Sequence, residues 1–449
     1  MDASLSGGGR ARDGALAALA RIHQGAHVSA ALASTRSFAG PDRALATQLV
    51  YGVLRQQRYL DAWITMWRQG PLDVTVRDIL RLAFFQLGFL DRVPAYAAVH
   101  AAVEQAKVRA PGAKGLVNAV LRRGQGHPPS PESLSLGERY SHPDWIVKRW
   151  AKRYGTNLEK VLQADNEIAP IMLRVNLERA TRDQVLEQLR QAGFKAMASP
   201  YLPEAIRVDG ALWLEDLAAF KEGIVTVQDE SGMLVNWVLD VQKDEAVIDL
   251  AVGVGGKAIH ALERQRGIRL TGLDISQQRL KLYQQNLVRC GYSDRAMMVS
   301  MPAQQYAPTH EELYDRAILD APCSGLGVLR RRVDARWGKQ AERFPELRAR
   351  QLALLGAARQ VVVPDGVIVY STCSTEPEET GEVVQAALEK WPDLWLEDVG
   401  PFLPHPALRS YVQQSCLVLA PGDLQMDGFF IARIRKRGDK VGKNPHRPG

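Results

Sequence analysis

Two cysteines occur in turn-forming segments, each directly after a short apolar run. Cys323 lies in DAPCSGLG, which follows RAILD at 316–320, and Cys373 directly follows VIVYST at 367–372. If these runs are neighbouring parallel strands, their carboxyl ends meet at one edge of a sheet, where ligands bind. We therefore expect the two thiols to face one pocket.

A glycine-rich loop, DLAVGVGGKA at 249–258, comes between the apolar run AVIDL and a helical pattern. Its glycines permit a tight turn and close approach of a ligand to the backbone, and the helix that follows begins with free N–H groups. Asp274 ends the next run, RLTGLD, where a carboxylate can accept hydrogen bonds from ribose hydroxyls. The pattern predicts an adenosine-containing cofactor, but the loop alone does not distinguish a dinucleotide from S-adenosylmethionine.

Two thiols beside an adenosyl cofactor suit methylation of a pyrimidine. Carbon 5 becomes a good nucleophile when a thiolate adds to carbon 6, and a second group must then remove the carbon 5 proton. A thiol with a pKa of about 8.5 is mostly protonated at neutral pH, so its neighbours must lower that pKa or the substrate must be protonated in concert. Asp320, beside Cys323, is placed to bond the N3/N4 edge of a cytosine. This chemistry does not decide which cysteine attacks.

Composition limits the class of protein. The chain has 449 residues, 46% hydrophobic and 24% charged, which predicts several packed domains and excludes disordered and fibrous proteins. Its net charge is +7, but residues 433–449 hold seven basic side chains and one acid, so the remainder is nearly neutral. We found no run of 18 apolar residues and no apolar segment behind the N-terminal charges, which predicts a soluble, cytoplasmic protein without membrane contact.

The chain has four cysteines, and none of them shows CxxC spacing. This pattern signals neither a disulfide framework nor a metal site, so we expect free thiols. Cys290 and Cys416 lie in apolar surroundings and are predicted to be buried without a chemical role.

The patterning of apolar residues predicts a multidomain protein. Apolar residues recur at helical spacing up to Arg123, and the segment GQGHPPSP that follows resembles a linker. After Val225, short β-rich runs alternate with helices, and this alternation is typical of a mostly parallel, doubly wound sheet. We predict a flexible start (1–14), an all-α domain (15–130), a small α+β connector (131–224), an α/β Rossmann-like domain (225–436) and a flexible basic tail (437–449).

The connector contains a helix with clear end signals between the runs IMLRVN and EAIRVD. Thr181 and Gln184 are spaced as a capping box, and Gly193 stands where the residue after a helix C-cap would be. The connector is interpreted either as a nucleic-acid-recognition sheet or as a structural spacer.

The cysteine motifs DAPCSGLG and STCS, in this order after the glycine loop, resemble motifs IV and VI of the RNA (cytosine-5)-methyltransferases. Nearly the whole chain resembles their RsmB (Fmu/Sun) subgroup, and DRALATQLVYGVLR (42–55) and GLVNAVLRR (115–123) are similar to its NusB-like RNA-binding domain. The resemblance implies a class I methyltransferase domain that uses S-adenosylmethionine. It also implies a monomer that acts on 16S rRNA, either free or early in small-subunit assembly.

The resemblance also implies roles for individual residues. Cys373 would attack carbon 6, Cys323 would assist proton removal and release, and Asp320 and Pro322 would orient the base. The residues implied to hold the cofactor are Ala251, Val252, Gly253, Val254, Gly255, Gly256, Lys257, Asp274 and Asp320. The chain departs from the family pattern in this loop, which reads AVGVGGKA instead of CAAPGGKT. It also has Ala303 where the family places an aspartate at the adenine end.

A basic run starts close to Cys323. Residues 330–350 contain eight basic and three acidic side chains, with Trp337 and Phe344 between them. We expect this run to lie along the RNA, the alternative being a solvated helix face.

A non-catalytic RNA-binding assembly factor is the alternative function. A nicotinamide oxidoreductase would use the glycine loop but would leave both cysteine motifs unexplained.

Overall fold

A computed structural model describes residues 8–210 and 217–438. These residues form two compact units, one from the described residues up to Ile168 together with Leu329–Lys339, and one from the described residues between Ala169 and Val328 together with those from Gln340 onward. Parts of two predicted segments, residues 1–7 of the start and 439–449 of the tail, lie outside the described residues. No helix in the described parts is long and apolar enough to cross a membrane. The three-part division drawn from sequence stays a prediction of domain boundaries.

The first unit is helical, as the spacing of its apolar residues predicts. Its core buries large side chains from successive helices, among them Leu49, Leu60, Trp63 and Phe84. Its helices are α1 (Gly9–His23), α2 (Val28–Ala31), α3 (Gly40–Arg55), α4 (Gln57–Trp67), α5 (Val74–Phe89), α6 (Ala95–Arg109), α7 (Lys114–Gly124), α8 (Leu136–Arg139), α9 (Asp144–Tyr154) and α10 (Leu158–Ala164).

Helix α1 begins six residues before the predicted start of the helical domain. The early turn is helical because Ala11 is fully buried and Arg12 is almost so. The Arg12 guanidinium donates to the Gln86 side chain over 2.6 Å. A contact between residues so far apart in the chain leaves no local signal in a Gly-rich segment.

The basic run is only partly available to RNA, contrary to our expectation. Leu329–Lys339 belongs to the helical unit, and it includes the short helix α17 (Ala335–Gly338). Arg336 is fully buried and donates to the carbonyl oxygens of Arg55, Ser141 and Asp165. Guanidinium groups satisfy backbone carbonyls as well as they bind phosphates, so counting basic residues did not distinguish the two uses.

The second unit begins with a small antiparallel sheet. Its strands are β1 (Ile171–Val175), β2 (Lys195–Ala198), β3 (Ala205–Asp209) and β4 (Val225–Val227), in the order β2-β3-β1-β4, with helices α11 (Arg182–Gln191) and α12 (Ala218–Lys221). The predicted capping box of α11 is present, with the Thr181 hydroxyl and the Gln184 side chain each accepting from the other's backbone N–H. Gly193 follows the helix with φ +85°, which confirms its predicted place.

A nine-stranded sheet forms the larger part of the second unit, in the order β11-β12-β13-β9-β8-β5-β6-β7 with β10 beside β13. Strands β5 to β9 pair in parallel, whereas β10 to β13 pair antiparallel. The strands are β5 (Ala246–Asp249), β6 (Arg269–Leu273), β7 (Ala296–Val299), β8 (Tyr314–Asp320), β9 (Val362–Thr372), β10 (Leu394–Glu397), β11 (Val412–Gln413), β12 (Cys416–Leu419) and β13 (Phe429–Lys436). The helices are α13 (Glu230–Leu239), α14 (Gly256–Arg264), α15 (Gln277–Cys290), α16 (Ala303–Tyr306), α18 (Phe344–Val361), α19 (Gly381–Lys390) and α20 (Pro406–Arg409).

The order of the parallel strands reverses at β5. The chain runs from β5 to β6 and β7 on one side and then returns to β8 and β9 on the other. A crevice for a ligand forms at such a point, outside the carboxyl ends of the strands. The glycine loop follows β5, and the two cysteine motifs follow β8 and β9, so the predicted fold class is confirmed and all three motifs share one edge.

Candidate functional site

The two cysteines are brought together by strand pairing. Strands β8 and β9 are neighbours in parallel register, with Asp320 opposite Ser371, so the chain leaves both strands at the same level. The Sγ atoms of Cys323 and Cys373 lie 3.4 Å apart, and both residues are half-buried. The two thiols therefore contact each other at the carboxyl edge of the sheet, and the pocket expected around them stays a prediction. Cys290 and Cys416 are buried, as expected.

The two thiols have different electrostatic surroundings. The pKa of Cys323 is raised well above its ordinary value, first by its hydrogen bond to Cys373, then by burial and by the nearby charges of Glu379 and Asp320. Cys373 is close enough to Lys257 for their charges to interact. A carboxylate disfavours a thiolate, so the surroundings of Cys323 favour its thiol form, whereas Cys373 has a cation, Lys257, among its neighbours.

Asp320 and Lys257 connect the cysteines to the glycine loop. The Lys257 ammonium donates to Asp320 Oδ2 over 2.6 Å, and the Ser371 hydroxyl donates to Oδ1 over 3.1 Å. Burial alone would lower the pKa of Lys257, but the charge and hydrogen bond of Asp320 outweigh it and raise that pKa. Lys257 therefore stays a cation, and the carboxylate side chain remains about one-third exposed at the edge of the sheet.

The glycine loop has the backbone conformation that its sequence predicts. Gly253 and Gly255 have φ of +56° and +88°, a region that favours glycine. A Cβ at Gly255 would also collide with the Tyr283 ring, whereas one at Gly256 would meet no atom within 4 Å. The loop therefore packs closely against the protein on one side and leaves open space at the start of α14 on the other.

Asp274 lies at the end of β6 with both oxygens already oriented. Oδ2 accepts the Gly253 N–H over 3.1 Å, and Oδ1 accepts the Ser276 N–H over 2.8 Å. Each carboxylate oxygen has a further lone pair with which to accept from a ribose hydroxyl. This carboxylate, the open space over Gly256 and the free N–H groups of α14 fit an adenosyl cofactor.

Asp249, at the end of β5, is a buried acid beneath this site. Burial raises its pKa to about 7, and the charges of Asp320 and Asp274 act in the same direction, against the N–H of Ala251 and the charge of Lys257. Asp320 and Asp249 thus act on Lys257, and Asp274 acts on Asp249. This excess of carboxyl groups over cations suits a ligand that carries positive charge.

The other residues predicted to hold the cofactor have different exposures. Val252 is 5% exposed and packs in the core, while Val254 is 47% exposed and its carbonyl accepts the Asn286 amide. Ala303 begins α16 and is buried, so it presents no polar group. In the described residues no cluster of His, Cys, Asp or Glu could hold a metal ion.

Two buried residues that support the loop were missed as site residues in the sequence. Arg174 of β1 is fully buried, donates to the Gly256 carbonyl over 2.9 Å and pairs with Glu263 over 2.7 Å. Asn236 of α13 donates to the Lys257 carbonyl over 3.0 Å. Arg174 stands in LRVN, which was noted as part of the resemblance, but nothing local indicates its partner 82 residues away. The small sheet therefore supports the cofactor loop, a role that its interpretation as a spacer left out.

The strand order, the loop over α14 and the acid ending β6 define a Rossmann-like methyltransferase domain. A family model described as 16S rRNA methyltransferase RsmB/F matches residues 236–435, one described as NusB family matches 9–125, and one described as a RsmF/B-like ferredoxin-like domain matches 142–215. Proteins called ribosomal RNA small subunit methyltransferase B from Salmonella typhi and Salmonella agona are each 35% identical over 408 residues, covering 89% of this chain and 92% of theirs. The chain belongs to this RsmB/F family of rRNA methyltransferases, and its cofactor is S-adenosylmethionine.

Solved structures show the same fold. The crystal structure of PH0851 superposes with a TM-score of 0.81 at 24% identity, covering 96% of this chain and all of that one. A methyltransferase homologue from Pyrococcus horikoshii superposes with a TM-score of 0.58 at 25% identity, covering 69% of this chain and all of that one.

Proposed function

We propose that this chain methylates carbon 5 of a cytosine in 16S rRNA through a covalent adduct between Cys373 and carbon 6. The observation that carries the proposal is the contact between the two thiols, at 3.4 Å, beside Asp320 and Lys257 on the edge where the cofactor loop lies. Methyl transfer to ribose or to a nitrogen atom does not require two thiols in contact. The family description supports 16S rRNA as the substrate.

In this proposal Cys373 is the nucleophile. Its sulfur forms a bond to carbon 6, and the electron pair of the 5,6 double bond moves to carbon 5. The charge of Lys257 favours the thiolate that this step needs. The Asp320 carboxylate accepts a hydrogen bond from the exocyclic amine of cytosine and so orients the ring, as Asp and Glu side chains do when they recognise cytosine. Bound S-adenosylmethionine would supply carbon 5 with an electrophilic methyl group, with S-adenosylhomocysteine as the leaving group.

Cys323 completes the reaction. The carbon 5 proton leaves toward Cys323, the electron pair re-forms the 5,6 double bond, and the bond from Cys373 to carbon 6 breaks. A thiol cannot accept a proton, so Cys323 must first give up its own proton to solvent and act as the thiolate. The raised pKa of Cys323 makes this thiolate a strong base once it has formed.

The proposal requires Gly253, Gly255, Gly256 and the first turn of α14 to bind the cofactor through their backbone, with Asp274 on the ribose. Ala251, Val252 and Val254 would contribute backbone atoms only. The target cytosine must be unpaired or flipped out to reach the thiols, since side chains cannot reach a base inside a helix. We further propose that the helical unit binds the surrounding rRNA.

The test is methyl transfer from labelled S-adenosylmethionine to unmodified 16S rRNA, followed by mapping of the product. Wild type should label carbon 5 of one cytosine, and Cys373→Ala should lose at least about a thousandfold in rate. Cys323→Ala should instead accumulate a protein–RNA adduct that survives denaturing gels, because attack proceeds but release does not. Cys416→Ala, at a buried cysteine remote from the site, is the matched control.

The opposite pattern, with the adduct in Cys373→Ala, would exchange the two roles. Absence of label with RNA binding intact would contradict the enzyme and favour a non-catalytic assembly factor. Label on an atom other than carbon 5 would contradict the thiol mechanism.

A further inference from the structure

Glu379 lies beneath the loop that carries Cys323. It ends the turn Pro377–Glu379 and is fully buried. Its Oε1 accepts the backbone N–H of Ser324 over 2.7 Å, and its Oε2 accepts the Ser324 hydroxyl over 2.5 Å. Because Ser324 directly follows Cys323, this carboxylate fixes the backbone on which the thiol stands.

The same contact reaches the second cysteine. The Ser324 hydroxyl oxygen lies 3.2 Å from that of Ser374, which directly follows Cys373. A serine hydroxyl has one proton, and that of Ser324 is directed to Glu379, so its oxygen is left as the acceptor for Ser374. One carboxylate is therefore linked, through two serines, to both cysteine loops.

Two further side chains, Gln351 and Tyr370, fix the position of Glu379. The Gln351 amide donates to Oε1 over 3.2 Å and to the Pro322 carbonyl over 3.0 Å, so it ties the carboxylate to the residue before Cys323 as well. The Tyr370 hydroxyl donates to the Glu379 backbone carbonyl over 2.7 Å. Among the described residues, no Lys, Arg or His forms an ion pair with Glu379. A buried carboxylate without a cationic partner is costly, so its hydrogen bonds to the cysteine loops must compensate for the burial.

We propose that Glu379 is a positioning residue whose carboxylate, acting through Ser324 and Ser374, holds the Cys323 and Cys373 sulfurs in contact. The inference rests on the proposed function in one respect, that both thiols act on one substrate. It adds a residue that touches neither substrate nor cofactor but sets the distance on which the two-thiol reaction depends.

The charge of Glu379 acts on the Cys323 thiol. The groups that face Cys323 are Cys373, Glu379, Asp320 and the Tyr370 ring, and all of the charges among them are negative. Lys257 faces Cys373. After the hydrogen bond to Cys373 and burial, the charge of Glu379 further raises the pKa of Cys323. Glu379→Gln separates this charge effect from the positioning of the loop, because an amide oxygen still accepts from Ser324 but carries no charge.

The test measures how readily the two thiols form a disulfide, with glutathione as the redox partner and without RNA or cofactor. The equilibrium effective concentration of one thiol toward the other reports their proximity, and peptide mapping identifies the bond. Glu379→Ala should lower this concentration about tenfold or more, while Glu379→Gln should lower it less. Glu382→Gln, at a partly exposed carboxylate paired with Arg348, is the matched control and should match wild type.

A pH profile separates positioning from mere structural support. In a Cys373→Ala background, Glu379→Gln should move the midpoint of Cys323 alkylation by iodoacetamide to lower pH, and Glu382→Gln should leave it in place. A folded Glu379→Ala variant with the wild-type effective concentration would overturn the proposal. So would an unmoved alkylation midpoint in Glu379→Gln together with a wild-type effective concentration.

If Glu379→Ala does not fold, Ser324→Ala and Ser374→Ala carry the test, because each removes one link and leaves the carboxylate in place. Both should lower the effective concentration, and wild-type values in both would overturn the proposal. These measurements involve no methyl transfer, so they hold or fail independently of whether labelled rRNA is produced.

Discussion

The two halves of the site are fixed in different ways. In the cysteine half, after β8 and β9, the reacting atoms belong to side chains, and the residues that hold them, Ser324, Ser374 and Glu379, stand in the same two motifs. In the cofactor half, after β5 and β6, the ligand faces mainly backbone groups, and these are held by Arg174 and Asn236 from other segments. Chemistry done by side chains leaves a strong sequence motif, whereas a backbone cradle tolerates substitution as long as its distant supports remain.

The comparison predicts that cofactor affinity falls most when the support that Arg174 gives to the loop is removed. Replacing Arg174 alone would leave Glu263 buried and unpaired, so the informative variant is Arg174→Met with Glu263→Met. It should stay folded and bind S-adenosylmethionine about 10- to 100-fold more weakly, because the Gly256 carbonyl loses its donor at a cost of about 1–3 kcal/mol.

Calorimetric titration together with thermal unfolding measures both properties. Glu263→Gln, which keeps the bond from Arg174 to Gly256, is the control and should bind nearly as wild type does. Wild-type affinity in the double variant would mean that the loop holds its shape without a distant support.

The titration of Asp249 should have a smaller effect on stability and on cofactor affinity. Since burial raises its pKa to about 7, the folded chain keeps a proton there that the unfolded chain loses near pH 4. Its contribution to stability is therefore fully present below about pH 4 and declines as the pH rises to about 7. The charged form, present above pH 7, favours the positively charged cofactor.

The affinity for S-adenosylmethionine should accordingly rise by up to about fivefold from pH 6 to 7 and level off above pH 8. The rise should be weaker for S-adenosylhomocysteine, which lacks the sulfonium charge, and absent in Asp249→Asn. Binding titrations at each pH measure it. A profile that is equally steep in Asp249→Asn would assign the titration to another group.

The smallest effect should come from the substitution that departs most visibly from the family pattern. Val254→Pro restores the family residue at a position that is 47% exposed and whose contact to Asn286 uses the carbonyl, which proline keeps. We expect less than about a threefold change in cofactor affinity and a stabilisation of at most about 1 kcal/mol from the stiffer unfolded chain. A large gain in affinity would show instead that the side chains of the loop contribute to cofactor binding, which would contradict the view that the cofactor half acts mainly through its backbone.

Several elements could be predicted because their signals are local. Strands β5, β6, β8 and β13, the capping box at Thr181 and the positive φ of Gly253 and Gly255 follow from patterns within a few residues. Strand β9 begins at Val362, five residues before its apolar run, because pairing with β8 extends it. The short strand β7 was not predicted, because its four apolar residues, AMMV, are too short a run to distinguish a strand from a turn of helix.

The sequence by itself determined the fold class, the family and the two cysteine motifs, because each depends on residue types at fixed spacing. Only the tertiary structure decided which buried residues support these features. Arg174 under the cofactor loop and Arg336 within the helical unit are both fully buried arginines. A basic residue in a sequence is equally suited to a phosphate, a carboxylate or a carbonyl oxygen, and the choice is made by partners that folding brings from distant segments.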